Sequence, residues 1–267
     1  MDQTKKSKQV LVDDRTYSVK SVRNGGMGRV WLLEQTFNDS FDPIYGRRIA
    51  VKTFDFMDDQ HAIEQELNIW ISLDHRSILP LKKIGRLNYR LAAIMPLLGG
   101  SLDDLLEADE CFSEHVVSAM LLDIVDGLDY AWTRFKILHL DLKPSNILIE
   151  SHFPFSLKIA DWGVSRLVTP GLRMRVENIG IGAIGHFDRK TGYAAGTPIF
   201  MAPERFSRSW ELSPAADIYS LGLMAIQLNT GILPFRFGQV NPLDEISSGS
   251  YLKYASEILA NRSYEFR

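Results

Sequence analysis

Short stretches of alternating apolar and polar residues fill the first hundred positions of the chain. Residues 10 to 35 and 44 to 56 carry Val19, Val22, Val30, Leu32, Ile49 and Val51, punctuated by a glycine cluster and by Pro43-Ile44-Tyr45-Gly46, which predicts short strands joined by turns. Asp58-Asp59 then precedes Ile63, Leu67, Trp70 and Ile71, spaced as on one helical face, with the two acids suited to its N-terminus. Leu79 to Leu98 returns to strand-like alternation. From Ser101 the period becomes helical. Ser101 with Asp104 three residues on predicts a capping box, and Ser113 opens a long run through Val116, Val117, Met120, Leu121, Ile124 and Leu128. Another helix is predicted from about Pro214 to about Leu228, with Gly231 placed to end it. No internal repeat or low-complexity tract interrupts this order. The pattern predicts an α+β molecule: a small β-rich N-lobe over residues 1–96 and a larger helical C-lobe over 97–267, joined near Pro96-Leu97-Leu98, with a cleft between them.

Composition narrows this little. The 267 residues are 45% hydrophobic and 24% charged, ordinary for a globular protein able to bury a sizeable core. A net charge of −3 and a pI near 6.1 supply no basic field for nucleic acid or an anionic membrane, and neither is expected as a partner. The one cysteine, Cys111, excludes an intramolecular disulfide and a cysteine zinc cluster and fits a reducing compartment. Met1 to Lys8 is polar and basic with no apolar run behind it, unlike a secretory signal. The most apolar stretch, Ile218 to Leu228, is too short to span a bilayer. A cytoplasmic location is expected.

The chemistry concentrates in His139-Leu140-Asp141-Leu142-Lys143-Pro144-Ser145-Asn146-Ile147-Leu148. A carboxylate, a lysine and an amide sit at fixed spacing on a sharp loop, because Pro144 can neither continue a helix nor donate to a sheet. Phosphoryl transfer needs a carboxylate to orient the attacking hydroxyl, a cation near the moving group and an amide oxygen for magnesium. The run resembles the catalytic loop of protein kinases, with four residues between Asp141 and Asn146 as in that family. Further motifs follow in family order along residues 19 to 235. Asn24-Gly25-Gly26-Met27-Gly28-Arg29-Val30 is by itself either a hairpin turn or a phosphate cradle, and it resembles the kinase glycine-rich loop; Gly-Gly-Met-Gly is similar to bacterial members in particular. Ile49-Ala50-Val51-Lys52 resembles the strand of the ATP-binding lysine. Glu66 rather than Glu64 stands at the usual distance before Leu73-Asp74-His75 for its partner. Asp161-Trp162-Gly163 resembles the magnesium-binding turn, with Trp162 where phenylalanine is usual. Gly196-Thr197-Pro198-Ile199-Phe200-Met201-Ala202-Pro203-Glu204 resembles the end of the activation segment, and Asp217-Ile218-Tyr219-Ser220-Leu221-Gly222 the helix that anchors it. Trp70, Trp162 and His139 match the stacked positions that link the lobes in active kinases, although core filling explains the two tryptophans equally well.

The resemblance implies a bilobal, ATP- and Mg²⁺-dependent kinase acting on protein hydroxyls. Lys143, with Gly196-Thr197 ahead of the Ala-Pro-Glu run, points to the serine/threonine class. Asp141 would orient the acceptor hydroxyl, Lys143 would stabilise the transferring phosphoryl group, and Asn146 and Asp161 would hold magnesium. Lys52, fixed by Glu66, would grip the α and β phosphates under Gly25, Gly26 and Gly28. Val30, Ala50, Met95 and Leu148 would sandwich the adenine, with backbone groups from Pro96 to Leu98 reading its edge. A pseudokinase scaffold and a small-molecule kinase are the rival functions.

Departures from the family pattern carry further expectations. Arg23 takes the place of the first family glycine. Leu140 replaces the arginine that commonly pairs with a phosphorylated activation segment, so activity is expected without that phosphorylation. The long stretch between Asp161 and Glu204 contains Arg166, Arg173, Arg175, Arg189 and Lys190; it reads as a solvated loop, with an acidic-partner surface or autophosphorylation within 164–197, at Thr169, Thr191 or Tyr193, as the sharper alternatives. Only Arg262 and Arg267 are late candidates to pair with Glu204, and a buried Glu204 without a partner would cost stability. The C-lobe is therefore expected to be abbreviated or a fragment of a longer chain. The oligomeric state is left open.

Overall fold

The computed structural model describes residues 8–25, 28–36, 46–54, 60–108, 112–152, 154–162, 166–167, 173–175, 187–188, 193–194, 199–206, 209–211, 213–235, 240 and 242–262. Two compact units divide the chain between Leu98 and Gly99.

The first unit is built on β1 (Gln9–Val12), β2 (Arg15–Gly25), β3 (Gly28–Gln35), β4 (Arg48–Thr53), β5 (Lys83–Leu87) and β6 (Arg90–Pro96), antiparallel in the order β1-β2-β3-β4-β6-β5. The sheet closes on itself where Val12 pairs with Leu87. Two tight turns make that closure. Asp13 stands at φ 49°, and its carboxylate accepts from the Arg86 N–H at 2.8 Å and from Lys83 Nζ at 2.9 Å. Asn88 and Tyr89, at φ 45° and 69°, form a left-handed hairpin turn, and Asn88 Oδ1 accepts from the Leu11 N–H at 2.9 Å. Alternation along the strands sends Val10, Val12, Tyr17, Leu33, Ile49, Val51, Leu87, Ala92 and Ile94 into one core.

Helix α1 (Gln60–Ile71) buries Ile63, Glu66, Leu67 and Trp70, and Trp70 Nε1 donates to the Leu79 carbonyl at 2.7 Å. Ile71, expected on the same face, is 46% exposed, because it is the last helical residue and lies one step of about 100° round from Trp70. Asp58 and Asp59, expected at the helix start, lie outside the described residues.

In the second unit, β7 (Gly100–Ser101) leads into α2 (Leu102–Glu107) through the expected capping box. Ser101 Oγ accepts from the Asp104 N–H, and Asp104 Oδ2 accepts from the Ser101 N–H at 2.8 Å. Helix α3 (Glu114–Phe135) buries Val117, Met120, Ile124, Gly127, Leu128 and Ala131. Ser113 precedes it without a side-chain cap bond; its carbonyl receives the Val117 N–H at 3.0 Å instead. Lys136 ends α3 in the left-handed region at φ 57°, its ammonium 4.8 Å from the Trp132 ring centre. There follow β8 (Ile137–Leu138), a 3₁₀ turn (Pro144–Asn146), β9 (Ile147–His152) and β10 (Phe155–Ile159), and β9 pairs with both β10 and β7. Asp123 of α3 accepts from the Leu157 N–H at 3.2 Å, which fixes β10 against the helix. Strand β11 (Arg166–Leu167) returns to pair with β8.

Helix α4 (Ala215–Thr230) starts after Pro214 and ends at Gly231, whose φ of 74° is the left-handed cap that the sequence predicts there. Helices α5 (Pro242–Ser248) and α6 (Tyr251–Arg262) complete the unit. The architecture is the expected α+β arrangement, strand-rich first and mainly helical afterwards. Among the described residues, no helix is long and apolar enough to cross a membrane.

Candidate active site

Asp141 is the centre of a small polar cluster that its own loop builds. Lys143 Nζ lies 2.7 Å from Asp141 Oδ2. The Asn146 amide nitrogen donates to the Asp141 carbonyl at 2.7 Å and to its carboxylate at 3.1 Å. The Pro144–Asn146 turn brings this about: it reverses the chain so that a residue five positions on reaches back to Asp141. Asp141 and Lys143 stay 39% and 38% exposed at their side chains, open to a reactant, whereas Asn146 is buried.

The neighbouring carboxylate is tied to the same loop. The Ala160 N–H donates to the Asn146 carbonyl at 2.8 Å, and the Ala160 carbonyl lies 3.0 Å from His139 Nε2. Asp161 therefore follows a residue held at both of its peptide groups, and it adopts φ 64° itself. His139 is fully buried, accepts at Nδ1 from the Asp141 N–H at 3.2 Å, and meets Trp162 edge to face at 4.8 Å. A carbonyl opposite Nε2 and an N–H opposite Nδ1 select the Nε2–H tautomer. His139 is thus a packed, hydrogen-bonded support. Trp162 is fully buried and donates to the Ile159 carbonyl at 3.4 Å. Trp70, expected to stack with these two, belongs to the first unit and is described there.

Because Asn146 spends its NH₂ group on Asp141, its amide oxygen is the atom left for a cation, and the Asp161 carboxylate follows Ala160, whose N–H is bonded to the Asn146 carbonyl. One amide and one carboxylate oxygen suit a hard divalent ion that keeps water and phosphate ligands, such as Mg²⁺. Among the described residues, no cluster of three or more His, Cys, Asp or Glu side chains offers a different metal centre.

Asp217 holds the loop itself in place, a role that its motif alone does not reveal. Its carboxylate is buried at the start of α4 and accepts from the His139 N–H at 2.8 Å and the Leu140 N–H at 2.7 Å. Leu140 adopts φ 65°, a conformation that costs a residue with a Cβ about 1–2 kcal/mol. Its carbonyl accepts from the Arg205 guanidinium. The Leu140 side chain is buried with Leu138, Ala202 and Ala216, against Trp132 and Tyr219. The position that the family usually gives to a cation is here an apolar core position.

Residues around Ala202 are fixed by the same packing. Ile199 and Phe200 pack against Leu223, Phe235, Ile246 and Tyr251, and Ser220 Oγ donates to the Phe200 carbonyl at 2.6 Å. Tyr219 contacts both apolar groups, and burial, followed by the neighbouring Tyr251, raises its phenol well above the usual range. Glu204 is exposed, whereas the expected stability cost of lacking a late arginine partner takes it to be buried. The Arg262 side chain and Arg267 lie outside the described residues, as do Cys111, Gly163, Thr169, Arg189, Lys190, Thr191 and Thr197.

The first unit holds the second set of expected residues. Lys52 on β4 and Glu66 on α1 form an ion pair at 3.4 Å with each side chain 5% exposed, while Glu64 is exposed. Lys52 Nζ also lies 5.0 Å from the centre of the Phe54 ring. Val30 pairs with Lys52, and Ala50 with Met95, across β3, β4 and β6; Ala50 and Met95 are buried, and Leu98 is half-buried at the end of the unit. Leu148 lies half-buried on β9 of the other unit. Gly25 and Gly28 pair at the β2–β3 turn, and Gly26 and Met27 lie outside the described residues. Gly28 has φ 158°, and a Cβ there would stand 1.8 Å from the Thr53 carbonyl oxygen. Contact with β4 therefore demands this glycine before any phosphate does. Arg23, in the family glycine's place, pairs with Val30 and is exposed.

Residues 21–261 match the family model described as the protein kinase domain. The chain belongs to the protein kinase family. Among this kinase chain's relatives are the carbon catabolite-derepressing protein kinase of Saccharomyces cerevisiae, 26% identical over 87% of this chain and 34% of that protein. Mitogen-activated protein kinase kinase 1 of Arabidopsis thaliana is 29% identical over 81% of this chain and 55% of that protein. Serine/threonine-protein kinase 17A of Oryctolagus cuniculus is 26% identical over 82% of this chain and 52% of that protein. This kinase chain thus spans between about a third and just over half the length of these curated relatives. The three are eukaryotic proteins.

Proposed function

We propose that the chain is an ATP- and Mg²⁺-dependent serine/threonine protein kinase that transfers the γ-phosphoryl group to a protein hydroxyl. The observation that carries this is the convergence of Lys143 and Asn146 on Asp141, at 2.7 Å and 3.1 Å from its carboxylate, in a chain of this family. Asp141 orients the acceptor hydroxyl and takes its proton. Lys143, whose ammonium donates to the Asp141 carboxylate at 2.7 Å, stabilises charge on the transferring group. Asn146 and Asp161 hold magnesium, which when bound neutralises charge on the ATP phosphates. Lys52, aimed by Glu66, grips the α and β phosphates beneath the Gly25, Gly26 and Gly28 loop. Val30, Ala50 and Met95 of the first unit, with backbone near Leu98, are the proposed adenine contacts, and Leu148 is the one proposed from the second. A reducing, ATP-containing compartment such as the cytoplasm suits a chain with one cysteine, and the likeness to bacterial members rests on the Gly-Gly-Met-Gly run.

Transfer proceeds without phosphorylation of the segment between Asp161 and Glu204. What supports this is the burial of Leu140 against Ala202, Ala216, Trp132 and Tyr219: apolar packing at that position replaces the cation that a phosphate would pair with. Alanine at Thr191 should leave activity within about twofold; loss of nearly all transfer would refute the independence.

Incubation of the purified chain with labelled ATP, Mg²⁺ and a generic basic protein, followed by phosphoamino-acid analysis, tests the main reading. Wild type is expected to label serine or threonine, and Asp141→Asn to abolish labelling while nucleotide binding persists. ATP binding without transfer by wild type would make the chain a nucleotide-binding scaffold instead.

A further inference from the structure

Arg205 is joined to the catalytic loop across 65 residues of sequence, through its guanidinium to the Leu140 carbonyl. It sits in the 3₁₀ turn Pro203–Phe206, directly after Ala202, and its N–H donates to the Ala202 carbonyl at 3.0 Å. Ala202 is fully buried against Leu140. The Arg205 Nε atom is shielded from water, so its guanidinium acts in a low-dielectric setting where a charged donor to a carbonyl is strong. The Leu140 peptide is thereby held on every side. Asp217 takes its N–H, Arg205 takes its carbonyl, and Ala202 and Ala216 pack its side chain. That carbonyl belongs to the peptide group whose nitrogen is Asp141's own. A leucine at φ 65° relaxes toward negative φ when released, and such a rotation would swing Asp141.

We propose that Arg205 is a positioning residue for Asp141: by fixing the Leu140–Asp141 peptide it couples the Ala202–Phe206 segment to the orientation of the carboxylate. The coupling rests on the kinase reading for its effect on turnover, but the clamp itself does not. Together with Leu140, Arg205 gives the segment after the activation loop a permanent hold on the catalytic loop, made of a guanidinium–carbonyl bond and apolar contact rather than a phosphate.

Arg205→Met keeps most of the aliphatic stem and removes the donors, and Arg205→Lys returns a cation and a donor. Each is compared with wild type by amide hydrogen exchange, thermal unfolding and steady-state transfer from ATP. In Arg205→Met the Leu140 and Asp141 amides should exchange faster while the remaining amides of α3 and α4 keep their protection. Its kcat should fall about tenfold with the KM for ATP unchanged, as expected when an interaction orienting the transition state is lost. Arg205→Lys should recover part of both effects. Wild-type exchange and turnover in Arg205→Met overturn the proposal, and so does faster exchange spread through α3 and α4, which marks general loosening. If wild type transfers no phosphate yet Arg205→Met still speeds exchange at those two amides, the clamp stands and the kinase reading falls.

Discussion

Asp217 is the most exacting place to test the account of the catalytic loop. The residue is 4% exposed, and its carboxylate receives two backbone N–H groups, from His139 at 2.8 Å and Leu140 at 2.7 Å. Asp217→Asn preserves the shape but offers one oxygen, so one N–H must face an NH₂ group. A hydrogen bond to a charged acceptor contributes about 1.5–3 kcal/mol, and a buried donor left unmade costs about 1–3 kcal/mol. Removing a buried charge returns part of this. The net expectation is a loss of about 2 kcal/mol, and for a protein of this size about 4–8 °C in Tm. The Leu140 backbone at φ 65° adds a functional consequence. Once one tether is gone the strained peptide can relax, and a displacement of about 1 Å at Asp141 costs on the order of a hundredfold in rate. Urea unfolding followed by tryptophan fluorescence measures the first effect, because Trp132 and Trp162 lie in this unit, and labelled-ATP transfer measures the second. A variant within 0.5 kcal/mol of wild type, as flagged by the usual range of about ±0.5 for neutral surface changes, would refute the view that this carboxylate holds the loop.

Three further outcomes are expected. Glu66→Leu removes the carboxylate paired with Lys52 in a site where both side chains are 5% exposed, and should destabilise by about 3–5 kcal/mol; the paired change Lys52→Met with Glu66→Leu should regain most of that in denaturant unfolding while nucleotide binding stays lost. Gly28→Ala places a Cβ 1.8 Å from the Thr53 carbonyl, so β3 and β4 must separate; a loss of at least about 1–3 kcal/mol is expected, and an unchanged Tm would contradict it. Tyr219 resists ionisation in the folded state, chiefly through burial. A raised folded value means that its contribution is fully present below the ordinary phenol value of 10.0 and is lost as pH rises above it. Tyr219→Phe should therefore flatten the alkaline fall in stability, as followed by thermal unfolding across that range.

What the sequence determined is what neighbours in sequence determine. The alternation of strands, the Ser101–Asp104 capping box, the left-handed cap at Gly231 and the Asp141, Lys143 and Asn146 cluster all depend on contacts within about five residues, and each is legible from spacing. Glu66 could also be chosen over Glu64, by its family-like distance before Leu73-Asp74-His75, and it is buried with Ile63, Leu67 and Trp70. Tertiary structure decided the rest, because the identity of a distant partner is not encoded in local period. Val12 meets Leu87 to close the barrel; Asp217 reaches the loop across 77 and 78 residues, and Arg205 across 65. Glu204 reads as a residue to be buried against a late arginine, and it is exposed. Leu140 reads in sequence only as a missing cation. The fold gives the position its meaning, because Ala202, Ala216, Trp132 and Tyr219 converge there and make an apolar side chain the one that fits.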